Sequence, residues 1–449
     1  MQVNGGINMK VIIIGGVAAG MSAAAKLKRL KKDAVIHVYE KGMDLSYSGC
    51  GMPYFLGDVI TDEKKLIART KEEFMKNDIK VFLKHEVIKV IPEHKEIQMK
   101  DLKNNLMIKD AYDKLLIATG TYAKQTQVDG SNEVKIHVLN QLHDMRALKP
   151  VIDKAKSVAI IGGGYIGVEV ADNLVELRKK VHLVQRGDQL LSVYDKDIAS
   201  KAKDILEDLG VNIYLNESLI SYEKDNDKII VKTNHRKLEV DVVIEAIGVH
   251  PNTAFLVGSG INMKDNGAIV TNKYFETNIK DIYAAGDCIA YHHIIKDELA
   301  YVPLGTHANK SGKIVAQNMV GKNITFSGIV GSNILKVGEF AFAKTGIGID
   351  EAKKLNLDYD YVDITAKHQT SYYPGAKDLF IRFIYEKTSL ILKGAELVGI
   401  TGVSDRINIM ALAITKKMTA SEFTELDFAY APPFSPVWDP LLIAASQIK

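Results

Sequence analysis

Two glycine-rich turns, each set between a short apolar run and a helical pattern, constrain the fold of this chain most. The first, GGVAAG at 15–20, follows the apolar run 11–14, and the second, GGGYIG at 162–167, follows the run 158–161. A strand, a tight glycine turn, a helix and a second strand together form a parallel βαβ unit. The sequence therefore predicts an α/β protein that contains two Rossmann-like units.

The residues that end each unit indicate what the turns bind. The second strand of the first unit ends at Glu40, and that of the second unit ends at Gln185 and Arg186. In such units the pyrophosphate of a dinucleotide lies at the helix start, and a terminal carboxylate binds the ribose. Because Arg186 could pair with a 2′-phosphate, we expect the second unit to use NADPH alongside NADH.

Composition narrows the function class. The chain has 449 residues, enough for two or three domains, and its 58 basic and 55 acidic residues nearly balance. We therefore expect neither nucleic acid nor a membrane surface as the main partner, and no metal site. Only two cysteines occur, which favours a reducing compartment, and no leader or apolar span is visible, so we expect a cytoplasmic protein. Residues 1–8 precede the first predicted strand and are interpreted as a short extension.

The two cysteines have different surroundings in the sequence. Cys50 lies in SYSGCGMPY at 46–54, after the first unit and far from any second cysteine, whereas Cys288 directly follows Gly286 and Asp287. A lone thiol in this position indicates a reaction in which the substrate supplies the other sulfur or an oxygen. The predicted helix start after Cys50 is expected to lower the pKa of the thiol. Cys288 is expected to be a buried structural residue.

The ordered motifs GGVAAG, ATG, GGGYIG, AIG and YAAGD resemble those of the two-dinucleotide-domain flavoprotein disulfide reductases, over nearly the whole chain. The resemblance implies FAD in the first unit, NADH or NADPH in the second, and a homodimer formed by a C-terminal α+β domain. The implied domains are 1–122 and 253–325 for FAD, 123–252 for NAD(P), and 326–449 for dimerisation. The implied cofactor-binding residues are Gly15, Ala18, Ala19, Gly20, Glu40, Lys41, Val87, Ala118, Thr119, Gly120, Asp287, Gly305, Gly162, Gly164, Ile166, Gly167, Glu169, Gln185, Arg186, Tyr194 and Gly248.

The branch of this family depends on the single cysteine. Relatives that use a protein dithiol carry two cysteines separated by four residues, but Leu45 and Phe55 occupy those positions around Cys50. Peroxidases and water-forming oxidases of the single-cysteine branch carry a histidine in the first turn, where this chain has Ala18. The turn, Ser46 four residues before Cys50, and the tail motif YAPPFSP at 430–436 resemble those of coenzyme A-disulfide reductases.

That resemblance also assigns a substrate site. It places Tyr430, with Tyr372 or Tyr373, beside the partner subunit's Cys50, so that the tail completes the other active site. The implied substrate-binding residues are Ser22, Lys26, Arg29, Ser46, His307 and Trp438. Two positions differ from the pattern: Gly49 stands where asparagine is common, and Trp438 stands where some members have a cation.

We therefore expect reduction of coenzyme A disulfide through a mixed disulfide on Cys50. Persulfide or polysulfide reduction and dioxygen reduction are the alternatives within the family. A nucleotide-binding sensor without turnover is the alternative from another class.

Overall fold

The first parallel sheet contains the first glycine-rich turn. A computed structural model describes residues 8–449; of the predicted extension over residues 1–8, residues 1–7 lie outside the described residues. The strand order is β18-β7-β1-β2-β3, with bounds β1 (Lys10–Ile14), β2 (Val35–Glu40), β3 (Ile79–Leu83), β7 (Lys114–Ile117) and β18 (Ile282–Ala284). Val11, Ile12 and Ile13 are fully buried, which explains the uninterrupted apolar run, because both faces of a parallel sheet are covered.

The second parallel sheet contains the second turn. Its order is β12-β11-β10-β16-β9, with bounds β9 (Ile136–His137), β10 (Ser157–Ile161), β11 (Lys180–Val184), β12 (Asn212–Tyr214) and β16 (Val242–Glu245). The apolar run that continues to Gly248 leaves the sheet after Glu245. The buried Glu245 carboxylate accepts hydrogen bonds from the Thr126 backbone N–H and the Tyr222 hydroxyl, and Gly248 then adopts a φ of +107°.

Four smaller antiparallel sheets flank the two parallel sheets. Their bounds are β4 (His85–Ile91), β5 (Glu96–Asp101) and β6 (Leu106–Ala111); β13 (Leu219–Asp225), β14 (Lys228–Thr233) and β15 (Lys237–Val240); β8 (Thr121–Ala123) and β17 (Val249–Pro251); β19 (Tyr291–His293) and β20 (Glu298–Ala300). The β8–β17 pair joins the two crossings of the chain between the parallel sheets. It lies beside two of the predicted domain limits, 122 and 252; the division into domains stays a prediction.

The helices of the two halves pack against the parallel sheets. Their bounds are α1 (Ala18–Leu30), α2 (Met52–Leu56), α3 (Lys71–Met75), α4 (Leu142–Lys154), α5 (Tyr165–Glu176), α6 (Lys196–Asp208) and α7 (Gly305–Met319). In α1 the predicted apolar face is buried through Ala23, Ala24 and Leu27, each at most 1% exposed. Gly312 of α7 lies against α1 so closely that an added Cβ would be 2.2 Å from the Ala19 carbonyl oxygen.

The C-terminal part is an antiparallel sheet covered by helices. The order is β21-β22-β25-β24-β23, with bounds β21 (Asn333–Val337), β22 (Phe340–Gly346), β23 (Tyr359–Lys367), β24 (Asp378–Glu386) and β25 (Leu392–Gly399), and with α8 (Ile349–Lys354), α9 (Val403–Thr415), α10 (Ala420–Thr424) and α11 (Pro440–Ser446). Apolar runs at 334–337, 379–385 and 395–400 and a helical pattern at 406–416 predict β21, β24, β25 and α9, whereas β22 and β23 are not predicted. β23 is an edge strand without a fully buried residue, so its sequence lacks the apolar run that marked the others. Among the described residues, no helix combines the length and the apolar character that crossing a membrane requires.

Candidate active site

One large cavity lies where the carboxyl ends of the two parallel sheets face each other. Its volume is about 1700 Å³, and both glycine-rich turns, Cys50 and the start of α7 line it. The carboxyl ends of strands in open α/β sheets are the usual position for a nucleotide. A cavity of this size is larger than a typical ligand pocket, so it has room for two cofactors placed end to end.

The first turn is built for close contact between backbone segments. Gly15 has a φ of +107°, and a Cβ there would lie 2.1 Å from the Ala118 carbonyl oxygen. A Cβ at Gly20 would lie 1.9 Å from the Gly15 carbonyl oxygen. Val17 stands where the G-x-G-x-x-G motif of such turns has its middle glycine, and its φ of −109° lies outside the left-handed region that favours glycine. The altered motif therefore keeps the two glycines that this geometry requires.

Glu40 organises the same turn. One carboxylate oxygen accepts a hydrogen bond from the Gly16 N–H and the other from the Gly42 N–H, each at 2.7 Å. Both backbone groups and the carboxylate lie in the wall of the cavity. This arrangement fits the adenosine half of a dinucleotide, with the carboxylate at the ribose and α1 at the pyrophosphate.

Asp287 supports the presence of a ligand in the first half. Among the described residues, none forms a hydrogen bond with its buried Oδ1. Burial raises the pKa of the Asp287 carboxyl to about 6. Buried polar atoms are nearly always paired, so this carboxylate fits a ligand hydroxyl such as those of the ribityl chain of FAD. Gly305, at the first turn of α7, lies in the same wall and directs a helix N-terminus toward the cavity.

The second turn repeats the geometry with a different polar partner. Gly162 has a φ of +110°, and a Cβ at Gly167 would lie 1.9 Å from the Gly162 carbonyl oxygen. The Gly163 N–H donates a 3.0 Å hydrogen bond to the Gln185 side-chain oxygen. Gln185 therefore takes the place that Glu40 has in the first turn, without its charge. The residues fit a pyridine nucleotide as the second ligand.

Arg186 and Glu217 both line the cavity, and the Glu217 N–H donates a 3.1 Å hydrogen bond to the carbonyl of Gln185, the residue before Arg186. Glu217 is buried, and its carboxylate pairs with Arg236 at 2.7 Å and accepts a 2.7 Å hydrogen bond from Thr233. Arg236 thus neutralises the charge of Glu217. Arg186 then gives this end of the cavity a positive charge.

Cys50 is exposed in the wall of the cavity. Ser46, at a φ of +47°, turns the chain toward a 3-10 turn at Gly49–Gly51, which carries the thiol directly before α2. The residue is exposed as a whole, but enough protein surrounds the thiol for burial to raise its pKa. The structure thus confirms the predicted helix start.

The expected lowering of the Cys50 pKa is wrong for this structure. Burial raises the pKa of the thiol, and the charges of Glu169 and Asp287 raise it further. α2 has only five residues and begins two residues after Cys50. The favourable backbone contribution is therefore too small to offset the burial and the two carboxylates.

Glu169 is a titratable neighbour of Cys50. It lies on α5 in the cavity wall, and burial raises the pKa of its carboxyl to about 7, while the Tyr54 hydroxyl opposes this rise. Tyr54 follows Cys50 by one helical turn. The sequence pattern did not single out Tyr54; its position four residues after Cys50 is the signal that could have found it.

The cavity brings together most of the residues that the sequence indicated. The predicted residues that line it are Gly15, Ala18, Ala19, Ser22, Glu40, Lys41, Ser46, Cys50, Val87, Ala118, Thr119, Gly120, Gly162, Gly164, Ile166, Glu169, Gln185, Arg186, Gly248, Asp287 and Gly305. Gly20 and Gly167 lie behind the turns and act through the close backbone contacts described above. Ser22 also donates a 2.6 Å hydrogen bond to the side-chain oxygen of Asn309, which lines the cavity as well. The sequence pattern did not indicate Asn309, although it follows His307 by only two residues.

Tyr194 and His307 do not reach the cavity. Tyr194 is 3% exposed, and its hydroxyl hydrogen bonds to the side-chain oxygen of Asn333 and the carbonyl of Phe342. These contacts hold the Tyr194 side chain against the C-terminal sheet, so it does not lie in the cavity wall, where the resemblance places it beside the nicotinamide. His307 is buried, its Nδ1 lies 3.2 Å from the Val302 carbonyl oxygen, and burial lowers its pKa. This favours a neutral structural histidine at the start of α7.

The other predicted substrate and catalytic residues lie on the outer surface of the chain. Lys26 and Arg29 are on α1 outside the cavity wall. Tyr372, Tyr430 and Trp438 are 74%, 45% and 50% exposed. The neighbouring Tyr430 phenol raises the pKa of Tyr372. These aromatic residues do not line the cavity of their own chain.

A buried ion pair holds the tail that carries these aromatic residues. Arg406 of α9 contacts the Asp439 carboxylate at 2.7 Å, and Ser435 donates a 3.0 Å hydrogen bond to the same group. Within residues 8–449, no cluster of three or more His, Cys, Asp or Glu side chains is arranged to hold a metal ion.

Comparison with known proteins identifies the family. Residues 9–312 match the family described as pyridine nucleotide-disulphide oxidoreductase, and residues 333–440 match the dimerisation domain of that family. The chain belongs to this family. It is therefore a flavin-dependent disulfide oxidoreductase that uses a pyridine nucleotide, and the resemblance and fold class inferred from the sequence are confirmed.

Individual relatives cover nearly the whole chain. A coenzyme A disulfide reductase of Staphylococcus haemolyticus is 33% identical over 95% of this chain and 96% of its own. The structure of reduced Bacillus anthracis CoADR-RHD superposes with a TM-score of 0.95 at 30% identity, covering 98% of this chain and 80% of that one. A NAD-dependent persulfide reductase from A. fulgidus superposes with a TM-score of 0.94 at 30% identity, covering 98% and 82%.

Proposed function

We propose that this enzyme reduces coenzyme A disulfide with electrons from NAD(P)H, and that Cys50 forms the covalent intermediate. The observation that carries the proposal is the isolation of an exposed thiol in a cavity built for two dinucleotides. The second cysteine, Cys288, is fully buried and donates to the Ala285 carbonyl. The relative with 33% identity over 95% of this chain, named coenzyme A disulfide reductase, supports this choice of substrate.

The two turns support a separate half of the cavity for each cofactor. FAD would be held by the Gly15–Gly20 turn, Glu40, Asp287 and Gly305, and NAD(P)H by the Gly162–Gly167 turn with Gln185 and Arg186. When bound, the nicotinamide supplies a hydride and the flavin passes the electron pair on to a disulfide at Cys50. The remaining predicted wall residues, among them Lys41, Val87, Thr119 and Gly248, would enclose the same two ligands.

The chain's own chemistry begins at the Cys50 sulfur. Its thiolate attacks one sulfur of coenzyme A disulfide, the S–S bond breaks, and one coenzyme A thiolate leaves and takes a proton. The product is a mixed disulfide between Cys50 and the second coenzyme A. Two electrons then break this bond, which releases the second thiolate and restores Cys50. One NAD(P)H and one proton are consumed for each two coenzyme A thiols formed.

The raised pKa of Cys50 has a consequence for this step. Only the thiolate is nucleophilic, so the rate of attack should increase with pH until the thiol is ionised. Glu169 opposes ionisation of Cys50 when it carries charge. Protonation of Glu169, whose pKa lies near 7, would therefore favour the thiolate that the reaction needs.

We infer a homodimer in which the tail completes the site of the other subunit. Phe434, Val437 and Trp438 are 77%, 72% and 50% exposed, and such a cluster of apolar groups on a surface is typical of an interface. In this arrangement Tyr430 and Tyr372 would lie beside the partner subunit's Cys50, where a phenol could protonate a leaving thiolate. Ser22, Lys26, Arg29, Ser46, His307 and Trp438 are proposed to contact the substrate or to shape its site.

Persulfide reduction is the second candidate. The structure that superposes with a TM-score of 0.94 is named a NAD-dependent persulfide reductase, and attack on a persulfide needs the same thiolate. Dioxygen is a less suitable acceptor, because Ala18 supplies no proton donor in the first turn.

Steady-state oxidation of NADPH and NADH tests the proposal. Coenzyme A disulfide, a coenzyme A persulfide and dioxygen are offered as separate acceptors to the wild type, Cys50→Ser and Cys288→Ser. We expect the fastest turnover with coenzyme A disulfide, its loss in Cys50→Ser, and its retention in Cys288→Ser. Faster turnover of the persulfide would select the second candidate, and wild-type turnover by Cys50→Ser would reject both.

A further inference from the structure

Two cations on α4 hold the stretch of chain that carries Cys50. We call residues 44–63 the redox segment. The Arg146 guanidinium binds the Asp44 carboxylate through two parallel hydrogen bonds of 2.7 Å, and it also donates to Glu63 at 2.8 Å. Asp44 and Glu63 are the two ends of the redox segment, so one guanidinium holds both.

Lys149 adds a third attachment, one helical turn after Arg146. Its ammonium lies 2.7 Å from the carboxylate of Asp58, a residue in the middle of the redox segment with a φ of +59°. The Lys149 side chain is 16% exposed, but that of Asp58 is 52% exposed, and Lys149 also pairs with Asp153 at 2.5 Å, so this attachment is weaker than that of Arg146. We call Arg146 and Lys149 the α4 clamp.

The redox segment has little regular structure of its own. It contains the 3-10 turn Gly49–Gly51 and the five-residue helix α2, and two of its residues, Ser46 and Asp58, have left-handed backbone conformations. Short helices and left-handed residues of this kind persist only when their surroundings hold them in place. The attachments outside the segment therefore decide where Cys50 lies.

The clamp connects the redox segment to the half of the molecule that holds the second turn. α4 follows the β9 strand of the second parallel sheet, and its buried Leu142 and Met145 share one core with Met52 and Leu56 of α2. These apolar contacts seat α2 on α4. The hydrogen bonds of Arg146 add an orientation that apolar contacts do not specify, because a planar guanidinium binds carboxylates in a fixed fork geometry.

We propose that Arg146, assisted by Lys149, is a positioning residue that fixes Cys50 at its working place in the cavity. This inference rests on the proposed role of Cys50 as the nucleophile. Arg146 is not in the cavity wall, so it acts on the reaction through the redox segment. Loss of the clamp should slow the step at Cys50 while leaving the step that reduces the flavin nearly unchanged.

The experiment compares Arg146→Ala with Lys203→Ala in the holoenzyme. Lys203 is the control. It lies on α6, pairs there with Glu207 at 2.6 Å, and makes no ion pair with the redox segment. Stopped-flow absorbance separates flavin reduction by NAD(P)H from the subsequent reaction with coenzyme A disulfide. Hydrogen exchange of residues 44–63 and the pH profile of Cys50 alkylation by iodoacetamide report on the segment directly.

For Arg146→Ala we expect the disulfide reaction to slow by about tenfold, because small misplacements of a reacting group have large effects on rate. Flavin reduction should stay within about twofold of the wild type, amide exchange in the redox segment should become faster, and the alkylation profile should shift. Arg146→Lys should restore only part of the rate, since an ammonium cannot make the parallel hydrogen bonds.

Glu63→Gln removes one attachment and keeps the proposal testable if Arg146→Ala folds poorly. An Arg146→Ala protein that matches Lys203→Ala in exchange and in disulfide rate would overturn the proposal. Equal slowing of both half-reactions would do the same, because it would show a general structural role. If Cys50→Ser retains turnover, the proposed function fails, whatever the clamp variants show.

Discussion

The sharpest prediction concerns two glycines of the second turn, one of which is in close contact with backbone while the other has open space around it. A Cβ at Gly167 would lie 1.9 Å from the Gly162 carbonyl oxygen, whereas a Cβ at Gly164 would have no neighbour within 4 Å. Neither residue has a positive φ. Replacement by alanine at each position therefore tests space alone, with the same chemical change.

The magnitude follows from the contact distance. Side-chain carbons essentially never approach closer than 3.0 Å, so Gly167→Ala must move the start of α5 from β10 by at least about 1.1 Å. Overpacking of this kind costs about 1–3 kcal/mol, and the clash is with the backbone of Gly162 directly after the buried strand β10, which places the cost at the upper end. Gly164→Ala should cost only about 1 kcal/mol, because alanine is a poorer N-cap than glycine but its Cβ would meet no atom within 4 Å.

The two variants should also differ in binding. Gly164 lies in the cavity wall, so its new methyl group would occupy space at the expected pyrophosphate position and raise the KM for NAD(P)H. Thermal unfolding followed by flavin fluorescence measures stability, and stopped-flow flavin reduction measures nucleotide binding. The reasoning is refuted if Gly167→Ala is as stable as Gly164→Ala.

Two further predictions address charge in the cavity. Arg186→Ala should raise the KM for NADPH by about tenfold and leave the KM for NADH nearly unchanged, because one charged hydrogen bond to the 2′-phosphate is lost; equal KM changes for both nucleotides in steady-state assays would contradict it. The second concerns Asp287→Asn in flavin-free protein, because the folded pKa of the Asp287 carboxyl, about 6, lies above its ordinary value of 3.8. Ionisation of this carboxyl therefore destabilises the wild type as the pH rises through that range. The variant should be more stable than the wild type at pH 8, by up to about 3 kcal/mol, and equally stable at pH 4. Urea unfolding at the two pH values measures the difference, and a variant that is less stable at pH 8 would count against a buried, unpaired carboxylate.

Local patterns were sufficient to predict the parts of the fold and site that depend on neighbouring residues. The turns at Gly15 and Gly162, the Glu40 carboxylate and the helix after Cys50 each follow from a few adjacent positions, because backbone contact within a βαβ unit sets which residues fit. Glycine where backbone must touch backbone is visible without knowing the rest of the chain.

Features that depend on distant segments could not be read from the sequence in this way. The Tyr194 hydroxyl is turned away from the cavity by Asn333 and Phe342 of the C-terminal sheet. The pKa of Cys50 is raised by burial and by the charges of Glu169 and Asp287, whose positions relative to the thiol follow only from the tertiary fold. The pKa of Cys50 therefore depends on the surrounding cavity more than on the five-residue helix α2 that follows it.

The α4 clamp is another long-range feature. Arg146 is separated from Asp44 by 102 positions and from Glu63 by 83. An arginine on a predicted amphipathic helix would be interpreted as a solvated surface residue. Only the packing of α2 on α4 shows that its guanidinium lies between two carboxylates.

The central claim is that Cys50 forms a covalent bond with one half of the disulfide substrate. Intact-mass spectrometry under denaturing conditions tests it directly, with reduced enzyme mixed with coenzyme A disulfide and quenched before and after addition of NAD(P)H. We expect the wild-type chain to gain the mass of one coenzyme A before NAD(P)H is added and to lose it afterwards, with the adduct located on the peptide that contains Cys50. An unmodified chain that still oxidises NAD(P)H with coenzyme A disulfide, or an adduct located on Cys288, would contradict the account.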